Sequence, residues 1–350
     1  MPFLNFYPEV MHCHDWQAAL AAIYLKTNYC FRQEYQFIRA LFTIHNIEYQ
    51  GQYSLDILSS LFDIYGKYQY LVEYNNSINL MKGAIECCER FSTVSPRYAM
   101  EIKEPYFAHG LDPIVRRNDF KLCGILNGID DTGYNPQFDT HIFANYTPDD
   151  MSNKAVNKAE LQKMLNLPVR AETPVISMIS RLVSHKGFDL VLNIIEELLQ
   201  SDVQFIVLGT GDSHYEGFFK DLARRYPDKM SAQIMFNNDL SRKIYAGSDI
   251  FLMPSKSEPC GLSQMIACRY ATIPIVRETG GLYDSIKPLY NGYTFANYNA
   301  HDMLYVIREA VEDYKNKEVW SQLMYRAATS DFSWKNSAKQ YEALYLSMLK

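Results

Sequence analysis

The chain has 350 residues, enough for two domains, and 48% apolar with 21% charged residues is the composition of an ordinary globular protein. Its net charge of −6 argues against a nucleic-acid or anionic-membrane surface. Seven scattered cysteines with no C-x-x-C spacing argue against a zinc site and for a reducing, cytoplasmic setting. The opening MPFLNFYPEVMHCHDWQ has no basic or long apolar stretch, and no run approaches the ~18 apolar residues of a membrane span, so neither a secretory leader nor an anchor is expected. The 27 Tyr and 19 Phe suit sugar stacking, but compositional bias with core packing is the better account of them.

Val10 to His14 reads as a strand end, and Trp16 to Lys26 as a helix with Ala18, Leu20, Ala21, Ile23 and Tyr24 inward. Asp15 is expected to cap that helix, since a carboxylate accepts from the free first-turn N–H groups. Ala40 to Ile44 is the next strand, with His45-Asn46 at its carboxyl end, and Tyr49 to Tyr74 reads as helix and loop. Asn79 to Glu89 is a helix, Phe91 to Val94 a strand, and Pro96 opens a helix at its favoured first position with Ser95 as cap. Leu122 to Leu126 is a strand ending in Asn127-Gly128-Ile129-Asp130; Asp149 to Leu165 is a charged helical segment, and Leu167 to Pro174 a linker.

Beyond the linker the alternation is clean. Strands are expected at Val175–Ile179, Gln204–Leu208, Gln233–Phe236, Ile250–Met253 and Ile273–Val276. Helices are expected at Gly187–Leu199, Tyr215–Tyr226, Leu240–Gly247 and Leu262–Arg269, with terminal ones at Asp302–Tyr314 and Asn336–Leu349. Repeated strand-then-helix units with short turns mean parallel sheets covered on both faces. The second half reads as a complete doubly wound domain, and the first as one without its opening strands.

In such sheets ligands collect at the carboxyl ends of strands, where helix N-termini turn free N–H groups outward. Arg181 and Lys186 follow one strand and precede a helix, an arrangement that holds a diphosphate or is simply a solvated basic loop. Ser257-Glu258-Pro259-Cys260-Gly261 is a strand-to-helix turn in which Glu258 is a ligand contact or only a cap. Gly209-Thr210-Gly211 ends a strand, and Gly280-Gly281 reads as a turn pair. His45 at a strand end is more often a structural hydrogen-bonder than a catalyst. His12 and His14 share one face of a strand, but no third ligand accompanies them, so no metal site is assigned; Cys260 reads as a small buried thiol. Together these groups are what transfer from a nucleotide-diphosphate donor needs.

Several ordered stretches resemble the bacterial glycogen synthase and plant starch synthase family: HCHDWQAAL at 12–20, FTIHNIEYQG at 42–51, FSTVSPRYAMEI at 91–102 and GILNGID at 124–130. SRLVSHKGFDL at 180–190, LGTGD at 208–212, PSKSEPCGLSQMIACRYATIPIVRETGGL at 254–282 and FANYNAHDML at 295–304 continue it over nearly the whole chain. The resemblance implies two facing Rossmann-like α/β domains (the GT-B type), the N-terminal one incomplete. They would span 1–168 and 169–334, with the 335–350 helix packing back on the first. It implies retaining transfer of glucose from ADP-glucose to the 4-OH at the non-reducing end of an α-1,4-glucan such as glycogen.

Carried over by motif, Arg181 and Lys186 would hold the donor phosphates, and Glu258 would face the glucose and support charge at its anomeric carbon. Backbone N–H groups around Cys260, Gly261, Leu262 and Ser263 would bind sugar hydroxyls and phosphate. Asp15 and His45 would reach the glucose, Asn127 would line the cleft, Phe236 at its strand end would lie against adenine, and Gly209, Thr279, Gly280 and Gly281 would shape the loops around the nucleotide. No cofactor or metal is called for, since two cations and a helix N-terminus neutralise a leaving diphosphate. One departure stands out: the family's opening strand and Lys-Thr-Gly-Gly-Leu loop are not in this sequence, which implies a missing N-terminal segment of on the order of a hundred residues. A second reading therefore makes the chain an inactive or split-gene fragment that binds nucleotide or glucan. The short loop Lys287–Gly292 is a smaller departure, expected to alter only the cleft rim.

Overall fold

The structure is a computed structural model that describes residues 6–64 and 66–350. The chain divides into two compact units, one of residues 1–127 with 335–350 and one of 128–334.

The first unit is built on a parallel four-stranded sheet of order β1 (Val10–His14), β2 (Arg39–Ile44), β6 (Arg90–Thr93) and β7 (Leu122–Gly124). Three two- or three-residue strands, β3 (Gln52–Tyr53), β4 (Glu73–Tyr74) and β5 (Ser77–Asn79), form a small antiparallel sheet; β3 and β4 fall in the 49–74 stretch where helix and loop were expected, and Tyr65 of that stretch lies outside the described residues. Helices α1 (Asp15–Thr27), α2 (Gln69–Val72), α3 (Leu80–Cys87), α4 (Pro96–Glu101) and α5 (Asp112–Arg117) fill the connections. Local chemistry sets their starts. Asn79 accepts from the Lys82 N–H and Ser95 from the Tyr98 N–H, with Pro96 in the first turn. The inward face of α1 is Ala19, Ala22, Ile23 and Thr27; of the residues expected inward Ile23 is buried, Ala18, Leu20 and Tyr24 are half-buried and Ala21 is exposed. Small residues let the helix lie close on the sheet, a choice that apolarity alone does not signal.

The second unit carries a parallel six-stranded sheet of order β10 (Met230–Gln233), β9 (Gln204–Leu208), β8 (Val175–Ile179), β11 (Ile250–Met253), β12 (Ile273–Arg277), β13 (Tyr293–Phe295). Strands β9, β11 and β12 are buried along their whole length, as strands covered on both faces must be. The helices are α6 (Ser152–Met164), α7 (Phe188–Leu198), α8 (Ser213–Arg225), α9 (Asn238–Gly247), α10 (Ser263–Arg269), α11 (Gly280–Ser285), α12 (Ala300–Lys315) and α13 (Lys317–Thr329). A last helix, α14 (Trp334–Met348), falls in the first unit from residue 335 onward.

The expected boundary at 168 lies inside the second unit. Leu161 and Leu167 join Val175, Ile206, Leu208, Leu240 and Ile244 in one buried cluster. Two of the three lysines that make α6 look like a solvated helix, Lys154 and Lys158, point inward. Lys154 Nζ donates to the Ala246 and Tyr270 carbonyls and to Thr272 Oγ1, and Lys158 Nζ pairs with Asp249 at 2.8 Å. Burial pushes the Lys154 ammonium down to about 7, with Asp249 opposing the shift. A charged helix whose cations are saturated by buried oxygens is part of a core, not a linker.

Candidate active site

Counted along the chain, the second sheet has the order 3-2-1-4-5-6, so the direction of winding reverses between β8 and β11. At such a switch point the loops leaving the two strands diverge and leave a crevice at their carboxyl ends, the ligand site of open α/β sheets. The loop after β8 carries Arg181 and Lys186, and the loop after β11 carries Glu258. Across that crevice Lys186 Nζ donates to Glu258 Oε2 at 2.6 Å, and Ser255 Oγ donates to the same oxygen at 3.0 Å. Glu258 is 7% exposed, so the two donors meet a carboxylate that burial alone would disfavour.

Glycine brings these loops together. Gly187 has φ +80°, which turns the chain from the short 184–186 turn directly into α7. A Cβ there would stand 2.2 Å from the Pro254 carbonyl oxygen, so only glycine lets the two loops touch. Lys256 N–H then donates to the His185 carbonyl at 2.9 Å. On the other side Gly280 and Gly281 form the first turn of α11, not the free turn pair expected. A Cβ on Gly280 would lie 1.9 Å from the Glu258 carbonyl oxygen, and Gly281 N–H donates to that oxygen at 3.1 Å. Thr279, buried, precedes this turn, so the Thr279–Gly281 segment supports Glu258 from below.

Cys260 is buried; Gly261 and half-exposed Leu262 lead into α10, which begins at Ser263 without a side-chain cap. Its first-turn N–H groups therefore have no capping oxygen from the residue that precedes it. Gln264 Nε2 ties this entry down by donating to the Cys260 and Gly261 carbonyls and to Ser285 Oγ. Arg277 does the same for the Glu258 loop: its Nε donates to the Ser255 carbonyl at 2.8 Å and its Nη2 to the Lys256 carbonyl. Sequence reasoning missed Ser255, Gln264 and Arg277. Their neighbourhood to Glu258 was legible for Ser255, but hydrogen bonds to distant backbone carbonyls leave no local pattern.

Beside the crevice is a cavity of about 210 Å³ lined by Ile179, Ser180, Arg181, Leu208, Gly209, Thr210, Met235, Phe236 and Asn237 among others. Arg181 is exposed, and its side chain has no hydrogen bond or ion pair among the described residues. Gly209 lies so near the Ser180 carbonyl that a Cβ would be 1.8 Å from it. Phe236 does not end a strand: β10 stops at Gln233, and the ring sits 92% exposed in the loop before α9. The strand ends early because Asn237 is committed to capping α9 through the Leu240 N–H, and the preceding residues span the gap.

In the first unit Asp15 and His45 are brought together, though not as a helix cap. Asp15 has φ +53° and begins α1 without capping it; its Oδ1 accepts from the His45 N–H at 2.7 Å. The carboxylate thus crosses from α1 to the end of β2 and takes the first N–H beyond that strand. His14 Nδ1 lies 3.0 Å from His45 Nε2. His12 is held between Tyr345 Oη at 2.8 Å and Thr43 Oγ1 at 2.6 Å. Burial, then the neighbouring His14 and His45, push His12 down to about 4; burial and His45 lower His14 as well, against Asp15. Half-buried Asn127, beyond β7, makes no side-chain hydrogen bond among the described residues. Among those residues no cluster of three or more His, Cys, Asp or Glu is arranged to hold a metal ion, and no helix is long and apolar enough to cross a membrane.

The sequence profile of the starch synthase catalytic domain matches residues 1–117, and that of glycosyl transferases group 1 matches 162–326. The chain is 45% identical over 358 residues to the glycogen synthase of Alkaliphilus metalliredigens, covering 99% of this chain and 75% of that protein. The Clostridium acetobutylicum glycogen synthase is 47% identical over 354 residues, with 99% and 74% covered. The chain belongs to the glycogen synthase and starch synthase family. It is a hexosyltransferase of that family, with the function of a glycogen or starch synthase. Its fold agrees: the catalytic domain of starch synthase IV from Arabidopsis thaliana, solved with ADP and acarbose, superposes with a TM-score of 0.90 at 34% identity, covering 99% of this chain and 74% of that one. Sucrose-phosphate synthase from Thermosynechococcus elongatus, at 16% identity and TM-score 0.63, shares the GT-B fold.

Proposed function

We propose that this synthase transfers glucose from ADP-glucose to the 4-OH at the non-reducing end of an α-1,4-glucan, with retention at the anomeric carbon, in the cytoplasm. The observation that carries the reading is the Lys186–Glu258 pair at the switch point, beside an uncapped helix start and the free cation Arg181. The bond from the anomeric carbon to the diphosphate oxygen breaks, and a bond to the acceptor O4 forms on the same face. The acceptor proton passes to the departing ADP. Arg181 and Lys186 neutralise the negative charge that grows on the diphosphate, with backbone N–H groups from Cys260 to Ser263 adding to that field. Glu258, kept beside the sugar by Ser255 and Lys186, stabilises the positive charge on the anomeric carbon. Phe236 offers an exposed ring to the adenine and Gly209 the close backbone beneath it; the ADP held by the Arabidopsis relative supports adenine as the base. Thr279, Gly280 and Gly281 keep the Glu258 loop in place, and Asp15, His45 and Asn127 keep the part in sugar binding that the family resemblance implies.

The test is glucose transfer to glycogen by the purified 350-residue chain, with ADP-glucose and UDP-glucose as parallel donors. Glycogen-dependent ADP release that exceeds UDP release is the expected result. Folded protein that transfers from neither donor overturns the reading, and faster transfer from UDP-glucose overturns the choice of base.

A further inference from the structure

The loops that carry Lys186 and Glu258 touch each other, and a third loop reaches both. Residues 296–299 join β13 to α12, whose start is set by Asn299 Oδ1 accepting from the His301 and Asp302 N–H groups. Tyr298 is the residue before that cap, so its backbone is fixed by the helix it precedes. Helix α12 runs beside α7, with Arg308 of the one paired to Glu197 of the other at 2.7 Å. At the start of the same two helices Tyr298 Oη donates to Asp189 Oδ1 at 2.5 Å. Asp189 is in the first turn of α7, directly after the loop of Lys186.

The ring of the same tyrosine lies against the other loop. The Arg277 guanidinium carbon is 5.7 Å and Lys256 Nζ 5.9 Å from its centroid, within the range over which a cation is attracted to a ring face. Arg277 is buried and spends its Nε and Nη2 on the Ser255 and Lys256 carbonyls, which lead into Glu258. One side chain thus grips α7 by its hydroxyl and, through Arg277, the Glu258 loop by its ring. Lys186 and Glu258 stand on different loops, so their 2.6 Å contact depends on the spacing between the two. We propose that Tyr298 is a positioning residue for that pair, acting through Asp189 on the lysine side and through Arg277 on the carboxylate side. The reaction needs both members aligned on one donor, the lysine at the phosphate and the carboxylate at the sugar, and a misplacement of about 1 Å can cost about 10²-fold in rate. The inference rests on the reading of this pair as the donor site, and adds the residue that sets its spacing.

The test compares Tyr298→Phe, Tyr298→Leu and Asp189→Asn in the full chain by steady-state kinetics with ADP-glucose and glycogen, ADP calorimetry and hydrogen exchange. Tyr298→Phe, which loses only the hydroxyl, is expected to lower kcat about threefold, and Tyr298→Leu, which loses the ring face as well, about thirtyfold. ADP binding is expected to weaken in step, with the glucan KM unchanged. Asp189→Asn keeps an acceptor oxygen and should stay within about twofold of wild type, and adding Tyr298→Phe to Asp189→Leu should cost nothing further. A tyrosine that served stability alone would lower Tm and leave kcat, measured well below Tm, at the wild-type value; that result overturns the proposal. Should Tyr298→Leu not fold, Tyr298→Phe still decides, because wild-type kcat and ADP affinity in that variant overturn it equally. No transfer by the wild-type chain would overturn the donor-site reading instead. Hydrogen exchange in residues 184–190 and 254–261 then decides: a rise of about tenfold in Tyr298→Phe is expected, and unchanged exchange in both segments overturns the proposal.

Discussion

Lys186 and Glu258 are 72 residues apart in the chain, yet their side chains form one unit at 2.6 Å. In the proposed reaction each has its own partner, a phosphate for the lysine and the anomeric carbon for the carboxylate. Each keeps the other's buried charge compensated when no substrate is bound. Lys186→Met therefore does two things at once: it removes a phosphate contact and strands Glu258 among poorly solvated neighbours. Turnover is expected to fall by about 10²–10³, with a much smaller change in the glucan KM, in steady-state assays. His12 makes a prediction about stability. The unfolded chain takes up a proton at the ordinary 6.5, and the folded chain only near 4, because burial and two neighbouring imidazoles oppose the charge. Between those values the unfolded state binds more protons, so stability is full above 6.5 and declines as the pH falls toward 4. His12→Gln should flatten the dependence of Tm on pH across that window; an unchanged slope would show that His12 does not titrate as the burial requires.

At the scale of elements, the site is a contact between the entrance to α11 and the loop that leaves β11. Gly280 has φ +44°, and a Cβ on it would lie 1.9 Å from the Glu258 carbonyl oxygen, a distance no side chain tolerates. Gly280→Ala forces the first turn of α11 away from that carbonyl and breaks the hydrogen bond from Gly281. We expect a loss of about 2 kcal/mol or more in urea unfolding and at least tenfold weaker ADP binding by calorimetry. Wild-type affinity in this variant would mean that α11 does not support the donor loop. How such contacts are read from sequence differs by element. The β8, β9 and β11 runs were legible to the residue, because strands covered on both faces read as unbroken apolar segments bounded by polar turns. Gly280-Gly281 was legible as special but not as a helix start, since two glycines in a row signal a turn when the carbonyls they approach are out of view. Helix α13 went unread: its Trp320, Leu323 and Ala327 form a sparse stripe among charges.

At the scale of the whole chain, the second unit includes residues 128–168, which the sequence reading places in the first domain. The composition of 149–174 suggests a solvated helix and a linker, but Leu161 and Leu167 complete a core and Lys158 neutralises Asp249, which also accepts from the Val175 N–H at 2.8 Å. An excised segment of residues 128–334 is therefore expected to fold cooperatively and to bind ADP, whereas 169–334 should be molten or aggregate. Circular dichroism and calorimetric melts of the two segments check this; a cooperative transition in the shorter one would return the boundary to the linker.

Periodicity and turn chemistry, which are local, were enough to establish from the sequence that this is an α/β chain with a doubly wound second half. Motif order was enough to identify the family and to single out Arg181, Lys186, Glu258 and His45. What local signals do not carry is who meets whom. The pairing of Lys186 with Glu258, the carbonyl clamp of Arg277, the bond from Gln264 to Ser285, the crossing of Asp15 to the His45 N–H and the inward turn of Lys154 and Lys158 all join residues distant in sequence. Such contacts are set by the strand order and by the close approach of loops at its switch point, and the strand order exists only in the folded chain.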